Sequence, residues 1–201
     1  MLVIDEAHHI VADTYLQVRR QYHGALVVGL TATPGRADNR GLGNAFDSMI
    51  AEVQPRELIA LHEQDPSMGL TPVQVIGPRT AVDHLCDCPV DAYRADCDGR
   101  QCIAFVGSVK EAGRLAQAFT VAGYPARAID GMMSDDDRSR AIEDFRAGAL
   151  RVLTSVQVLT EGFDAPETSA VILARKVGSE VTYIQMTGRG MRAAPGKRNC
   201  I

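Results

Sequence analysis

Leu2-Val3-Ile4-Asp5-Glu6-Ala7-His8-His9 is the stretch from which the fold is read. Three apolar residues run directly into two adjacent carboxylates and a histidine. The apolar run predicts a buried parallel strand, and in open α/β sheets ligands sit beyond the carboxyl ends of strands. Two carboxylates there suit divalent-metal chemistry on a phosphate, one holding the cation and the other polarising a water. The same residues also fit a strand followed by an acidic helix start, where Asp and Glu complement the helix dipole. The motif alone leaves both readings open, and its neighbours choose.

Outward from it, Val11 to Tyr22 has the apolar and basic spacing of an amphipathic helix. Gly24 to Leu30 predicts a second buried strand, ending in Thr31-Ala32-Thr33-Pro34-Gly35, two hydroxyl residues and a turn. Two strands would thus bring polar groups to one sheet edge. Gly41 to Met49 predicts a helical face through Leu42, Phe46 and Met49, and Pro55 to His62 a short helix with proline in its first turn. Thr71 to Pro78 is extended and bounded by prolines; it is the expected crossover between two domains, 1–76 and 77–201. Residues 79–100 have too weak a period to predict an element.

From Gln101 a regular alternation begins. Strands are expected at Cys102–Val106, Ala126–Ile129, Leu150–Ser155 and Ala170–Ala174. Helices are expected at 109–122, stopped by Gly123, after Ser134 as far as Gly148, and over 181–191. Repeated strand–helix units with short links imply a mostly parallel sheet covered on both faces.

The 201 residues are 46% apolar with a formal charge of −4, which argues against nucleic-acid binding through bulk charge. Between Arg175 and Ile201, however, Arg175, Lys176, Arg189, Arg192, Lys197 and Arg198 face Glu180 alone. No apolar run approaches the ~20 residues of a membrane span and no leader precedes the first strand, so a cytoplasmic protein is expected. Five cysteines without a leader fit reduced thiols. Cys86, Cys88, Cys97 and Cys102 have a spacing open to zinc, but Cys102 starts an apolar run and fits a core residue better.

Two stretches of the second half are poor choices for a core. Thr160-Glu161-Gly162-Phe163-Asp164-Ala165-Pro166 puts glycine and acids in a loop after a strand. Gln185-Met186-Thr187-Gly188-Arg189-Gly190-Met191-Arg192 combines helix-weakening glycines with arginines three apart, on one side of a helix. A surface turn and a frayed basic helix end would explain them. Guanidinium forks suited to phosphate oxygens would explain them too.

In order, these stretches resemble the motor core of superfamily-two helicases and translocases of the DEAD/DEAH-box type, with a flavour of bacterial and phage DNA helicases. Asp5-Glu6-Ala7-His8 resembles the Walker B box (motif II), Thr31-Ala32-Thr33 motif III, and Phe105 to Ser108 motif IV. Glu161 to Asp164 resembles motif V and Gln185 to Arg192 motif VI. The resemblance implies RecA-like parallel sheets with helices on both faces: part of a first lobe in 1–76 and a second lobe in 77–201. It implies ATP and Mg²⁺ as cofactors, with Asp5 on the metal and Glu6 activating water. His8 would couple to Gln185, and Thr31 and Thr33 would link nucleotide state to domain closure. Gly162 and Asp164 would approach the ribose, and Arg189 and Arg192 the γ-phosphate. Ser108, Gly131 and Thr154 would face nucleic acid, DNA in preference to RNA.

The departure from the pattern is the phosphate loop G-x-x-x-x-G-K-[ST]. Lysines occur only at Lys110, Lys176 and Lys197, and Gly196-Lys197 continues into Arg198. The chain is therefore expected to be a fragment of an ATP-dependent helicase or translocase. Alone it should be inactive, needing the rest of lobe one for its ATP site. The alternatives are a non-catalytic RecA-like module for nucleic acid or a partner, and the motor part of a restriction or repair enzyme.

Overall fold

A computed structural model of the chain describes residues 1–7, 17–18, 20–31, 42–50, 53–76, 88–156 and 163–201. They group into two compact units, Met1–Glu52 with Ser179–Gln185, and Val53–Gly178 with Met186–Ile201. This grouping and a boundary at 76/77 divide the chain at different points. The segment 53–76 goes with the larger unit because its backbone is bonded there: Thr71 N–H donates to Met191 O and Gln74 N–H to Cys200 O.

In the first unit, β1 (Leu2–Ile4) and β2 (Val27–Gly29) run parallel, Leu2 opposite Val27 and Ile4 opposite Gly29. Ile4, Ala7 and Ala45 are buried together, with Leu2, Val27, Leu42 and Phe46 packed against them. Pairing continues past the strands, since Leu30 N–H donates to Ile4 O and Ala7 N–H to Leu30 O. Asp5-Glu6 and Leu30-Thr31 therefore leave by one sheet edge. The helix expected over 41–49 reduces to a single 3-10 turn, Leu42–Asn44. Gly41 and Gly43 each weaken a helix there by about 1 kcal/mol. The helix expected over 11–22 lies largely outside the described residues.

The second unit holds a four-stranded all-parallel sheet of β3 (Cys102–Val106), β4 (Ala126–Ile129), β5 (Val152–Ser155) and β6 (Ala170–Ala174), in the order β4-β5-β3-β6. Every residue of central β3 is buried. Its alternate side chains enter different cores, as a period of two requires. Cys102 and Ala104 join Val90, Tyr93 and Phe119, whereas Ile103 and Phe105 join Ala141, Phe145 and Met186.

In chain order the unit's helices are α1 (Pro55–Gln64), the single turn α2 (Pro89–Ala92), α3 (Val109–Val121), α4 (Asp135–Arg146) and α5 (Glu180–Met191), and α2 to α5 supply residues to the two cores of the sheet. Ser108 Oγ accepts from Glu111 N–H at 3.3 Å and starts α3; Ser134 Oγ accepts from Asp137 N–H at 3.1 Å and starts α4. Gly123 and Gly148, at φ +90° and +76°, end them in the left-handed conformation. In the stretch without a sequence period, α2 widens into a π-type turn over Tyr93–Cys97. Tyr93 anchors it: its fully buried ring meets Phe119 and Tyr124 edge-on at 5.4 and 4.8 Å, and its hydroxyl donates to Arg100 O at 2.5 Å.

Beside β6 the chain adds two more threads. Val171 N–H donates to Ile201 O at 2.7 Å, and Val73 bridges Cys200 in parallel. Cys200-Ile201 thus lies between β6 and Pro72–Gln74, bonded on both sides. Among the described residues no helix is long and apolar enough to cross a membrane.

Candidate functional site

The loop after β5 and the last turn of α5 meet in the larger unit. Phe163 and Ala165 are buried and hold the loop to the sheet, leaving Asp164 exposed between them. Three arginines close on Phe163-Asp164, Arg146 and Arg189 from helices and Arg192 from the residue after α5. Arg189 Nη1 donates to Phe163 O at 2.7 Å, with its guanidinium 5.9 Å above the Phe163 ring. Arg192 Nη1 donates to the Asp164 carboxylate. Arg146, in the last turn of α4, donates from Nε to Asp164 O at 2.6 Å and lies 3.9 Å from the carboxylate.

Magnitudes decide what this cluster is suited to. The side chains of Arg192 and Asp164 are 43% and 58% exposed, so solvent screens their attraction to about 0–1 kcal/mol. Arginine bonds to carboxylate and to phosphate are both charge-assisted, but a dianionic phosphate offers twice the charge of Asp164 and more acceptor oxygens. Arg192 is held weakly enough to be redeployed onto such a group. Arg189 is more firmly fixed, through a main-chain carbonyl.

The other expected site residues divide by unit. Asp5 and Glu6 sit beyond β1, with Glu6 N–H donating to Asp5 Oδ1 at 2.9 Å. Glu6 has φ +49°, among the described residues the one left-handed backbone that is not glycine. Thr31 is half-buried just past β2 at the same edge, and Gln185 groups with this unit. Two carboxylates at an open strand end offer the hard oxygen ligands that Mg²⁺ takes. In the larger unit, Ser108 spends an oxygen lone pair on its cap. Thr154 is fully buried and donates to Ala112 O at 2.8 Å, so its hydroxyl serves the packing of α3 on β5. Gly131 is exposed, with open space where a side chain would project. His8, Thr33 and Gly162 lie outside the described residues.

Sequence reasoning missed Arg146 and a buried group behind the arginines. Lys197, 8% exposed, donates from Nζ to Arg192 O at 2.7 Å and to Pro166 O at 3.1 Å. A basic residue in a final helical turn is the only local sign of Arg146. Lys197 follows a glycine in a segment of no period and gives no sign.

The fold and the order of these sites define a RecA-like α/β lobe of the P-loop nucleoside-triphosphatase superfamily. Residues 81–194 match the family described as helicase conserved C-terminal domain, and residues 1–36 that described as type III restriction enzyme, res subunit. The chain belongs to the helicase C-terminal domain family, among the superfamily-two helicases. It is 27% identical over 211 residues to a 51.5 kDa protein of a Lactococcus phage, covering 96% of this chain and 46% of that one. An ATP-dependent RNA helicase of Encephalitozoon cuniculi, DHH1, is 34% identical over 97 residues, covering 48% of this chain and 20% of the relative. Among solved structures, Saccharomyces cerevisiae Dbp5 bound to RNA and ADP BeF3 superposes with a TM-score of 0.62 at 22% identity, over 93% of this chain and 49% of that one. The type ISP restriction-modification enzyme LlaBIII bound to DNA gives 0.59 at 18%, over 98% and 17%. At these identities the superpositions speak for the fold. The chain spans less than half the length of these curated relatives.

Proposed function

We propose that the chain is part of an ATP-dependent nucleic-acid helicase or translocase, in which its residues complete a site begun elsewhere in the protein. The observation that carries this is the closure of Arg189, Arg192 and Arg146 on Phe163-Asp164, a cationic cluster in which Arg189 and Arg146 are fixed by main-chain oxygens and Arg192 pairs with the exposed acid. In this reading Asp5 would hold Mg²⁺, which supplies charge neutralisation on the phosphates when bound. Glu6 accepts a proton from the attacking water, Asp164 contacts the ribose, and Arg189 and Arg192 take up charge developing on the γ-phosphate oxygens. Gln185 and His8 would pair, as the resemblance to motifs VI and II implies. Ser108 and Gly131 offer a hydroxyl and an open backbone to nucleic-acid phosphates, a way for an acidic chain to hold a strand. Thr154 would act on that side only by positioning α3.

Glu6→Gln in the complete protein tests the reading. It should retain ATP binding and lose nucleic-acid-stimulated phosphate release; unchanged turnover would remove Glu6 from its role. The match of residues 1–36 to a restriction-enzyme subunit favours DNA as the strand and a restriction or repair enzyme as the setting. Stimulation by RNA and none by DNA would reverse that choice.

A further inference from the structure

We infer that Lys197 is a positioning residue, locking the Phe163–Pro166 loop to the end of α5 and so setting where the Arg192 guanidinium lies. The inference rests on the motor reading for its effect on turnover, but not for the lock itself. Its ammonium bonds two main-chain carbonyls from segments far apart in sequence, Pro166 in the loop and Arg192 after the helix. Arg192 therefore has its carbonyl tied to the same loop that its guanidinium grips through Asp164. A rotation of the helix end would have to break both.

The surroundings show that the lysine is built in and does not merely drape over the surface. Burial lowers its pKa to about 8, while the charge of nearby Glu167, one of whose oxygens is buried without a hydrogen-bond partner, holds it up. The Lys197 carbonyl faces Nε2 of buried His62 at 3.3 Å, which braces the lysine's own backbone. Burying an ammonium among carbonyls is costly compared with an apolar side chain of equal length. A lysine that only capped the helix could do so from the surface. Thr71 Oγ1 already donates to Arg192 O at 3.2 Å, so the cap does not depend on Lys197. What Lys197 alone adds is the bond to Pro166.

The experiment compares Lys197→Met, Lys197→Gln and Thr71→Val with wild type in the complete protein, below the melting temperature of each. Amide hydrogen exchange should accelerate together in 163–168 and 188–194 for Lys197→Met, with β3 and β5 unchanged. Thr71→Val should leave 163–168 unchanged. ATPase kcat should fall about 10- to 100-fold in Lys197→Met, the scale of a misplacement near 1 Å, with KM for ATP little altered. In single-turnover measurements on an Arg192→Ala background, Lys197→Met should add no further loss. If Lys197→Met does not fold, Lys197→Gln carries the same comparison, because glutamine's shorter, neutral side chain stops short of the two carbonyls that the ammonium bridges. Unchanged exchange in both segments, or an undiminished additional loss on the Arg192→Ala background, overturns the inference. Wild type without any ATP turnover overturns the motor reading instead, and the exchange result then decides the lock alone.

Discussion

Arg192 and Lys197 lie five residues apart and meet at one carbonyl, yet they have opposite relations to solvent. The guanidinium is half exposed and paired with a half-exposed acid; the ammonium is buried. That contrast suits a mobile charge on a fixed base. Arg192→Ala in the complete protein should lower kcat by about a thousandfold or more, the scale of a transition-state arginine. The melting temperature should stay near wild type, because a screened pair contributes so little. Turnover near wild type, measured as phosphate release, would leave the arginine a structural role only. The Arg189, Arg192 and Asp164 trio was legible in sequence because residue types and order carry it. Arg146 was not: its bonds go to a main-chain oxygen contributed by a distant loop, and such a partner leaves no mark in the sequence.

Within α5, two glycines two residues apart call for opposite predictions. A Cβ on Gly188 meets nothing within 4 Å, whereas one on Gly190 would come within 2.2 Å of Cys200 Sγ and 3.0 Å of Val171 Cγ2. Gly188→Ala should stabilise the lobe by up to about 1 kcal/mol, the ordinary helix preference. Gly190→Ala should destabilise it by about 1–3 kcal/mol, because the Cys200 backbone is held by Pro72 and Gln74 and its neighbour Ile201 by Ser169 and Val171, which leaves little room to give way. Cys200→Ala should recover part of that loss, since the remaining Cβ–Cβ approach of 3.5 Å is tolerable. Urea melts of the four variants decide it; equal effects at 188 and 190 would contradict the packing. The elements most legible beforehand were those with local punctuation: Ser134 opening a helix, Gly123 and Gly148 closing two; the capping by Ser108 was not read from the sequence. The turn at Tyr93–Cys97 escaped, because its burial comes from Phe119 and Tyr124 across the core and not from a repeat of its own.

For the whole molecule, pH sets buried groups of opposite sign against one another. Lys197 is depressed to about 8 by burial, so between pH 8 and 10.5 the unfolded chain holds more protons at that site and stability rises with pH, by an amount on the order of 3 kcal/mol when complete. Burial acts the other way on thiols: Cys97 is pushed up to about 11, and Cys102 and Cys200 are raised as well. Above pH 9 the unfolded thiols lose protons that the folded ones keep, and stability falls. The raised thiols oppose the depressed amine above pH 9, so the free energy of unfolding should rise from pH 8 and then turn over as the unfolded thiols ionise. Denaturant titrations across pH 7–10.5 would show it; a monotonic rise would mean that the thiols are hydrated.

The thread of Cys200-Ile201 between β6 and Pro72–Gln74 also imposes an order of assembly. Pro72–Gln74 has no direct strand partner in the four-stranded sheet; it reaches β6 only through residues made much later. The strands from β3 to β6 pair over shorter chain separations, Cys102 with Val152 and Ala170, than Val73 with Cys200, whose closure spans most of the lobe. On a ribosome the early segment would wait, its amides bonded to water, until Cys200 and Ile201 had emerged. The lobe is thus a structure fastened last by its oldest piece.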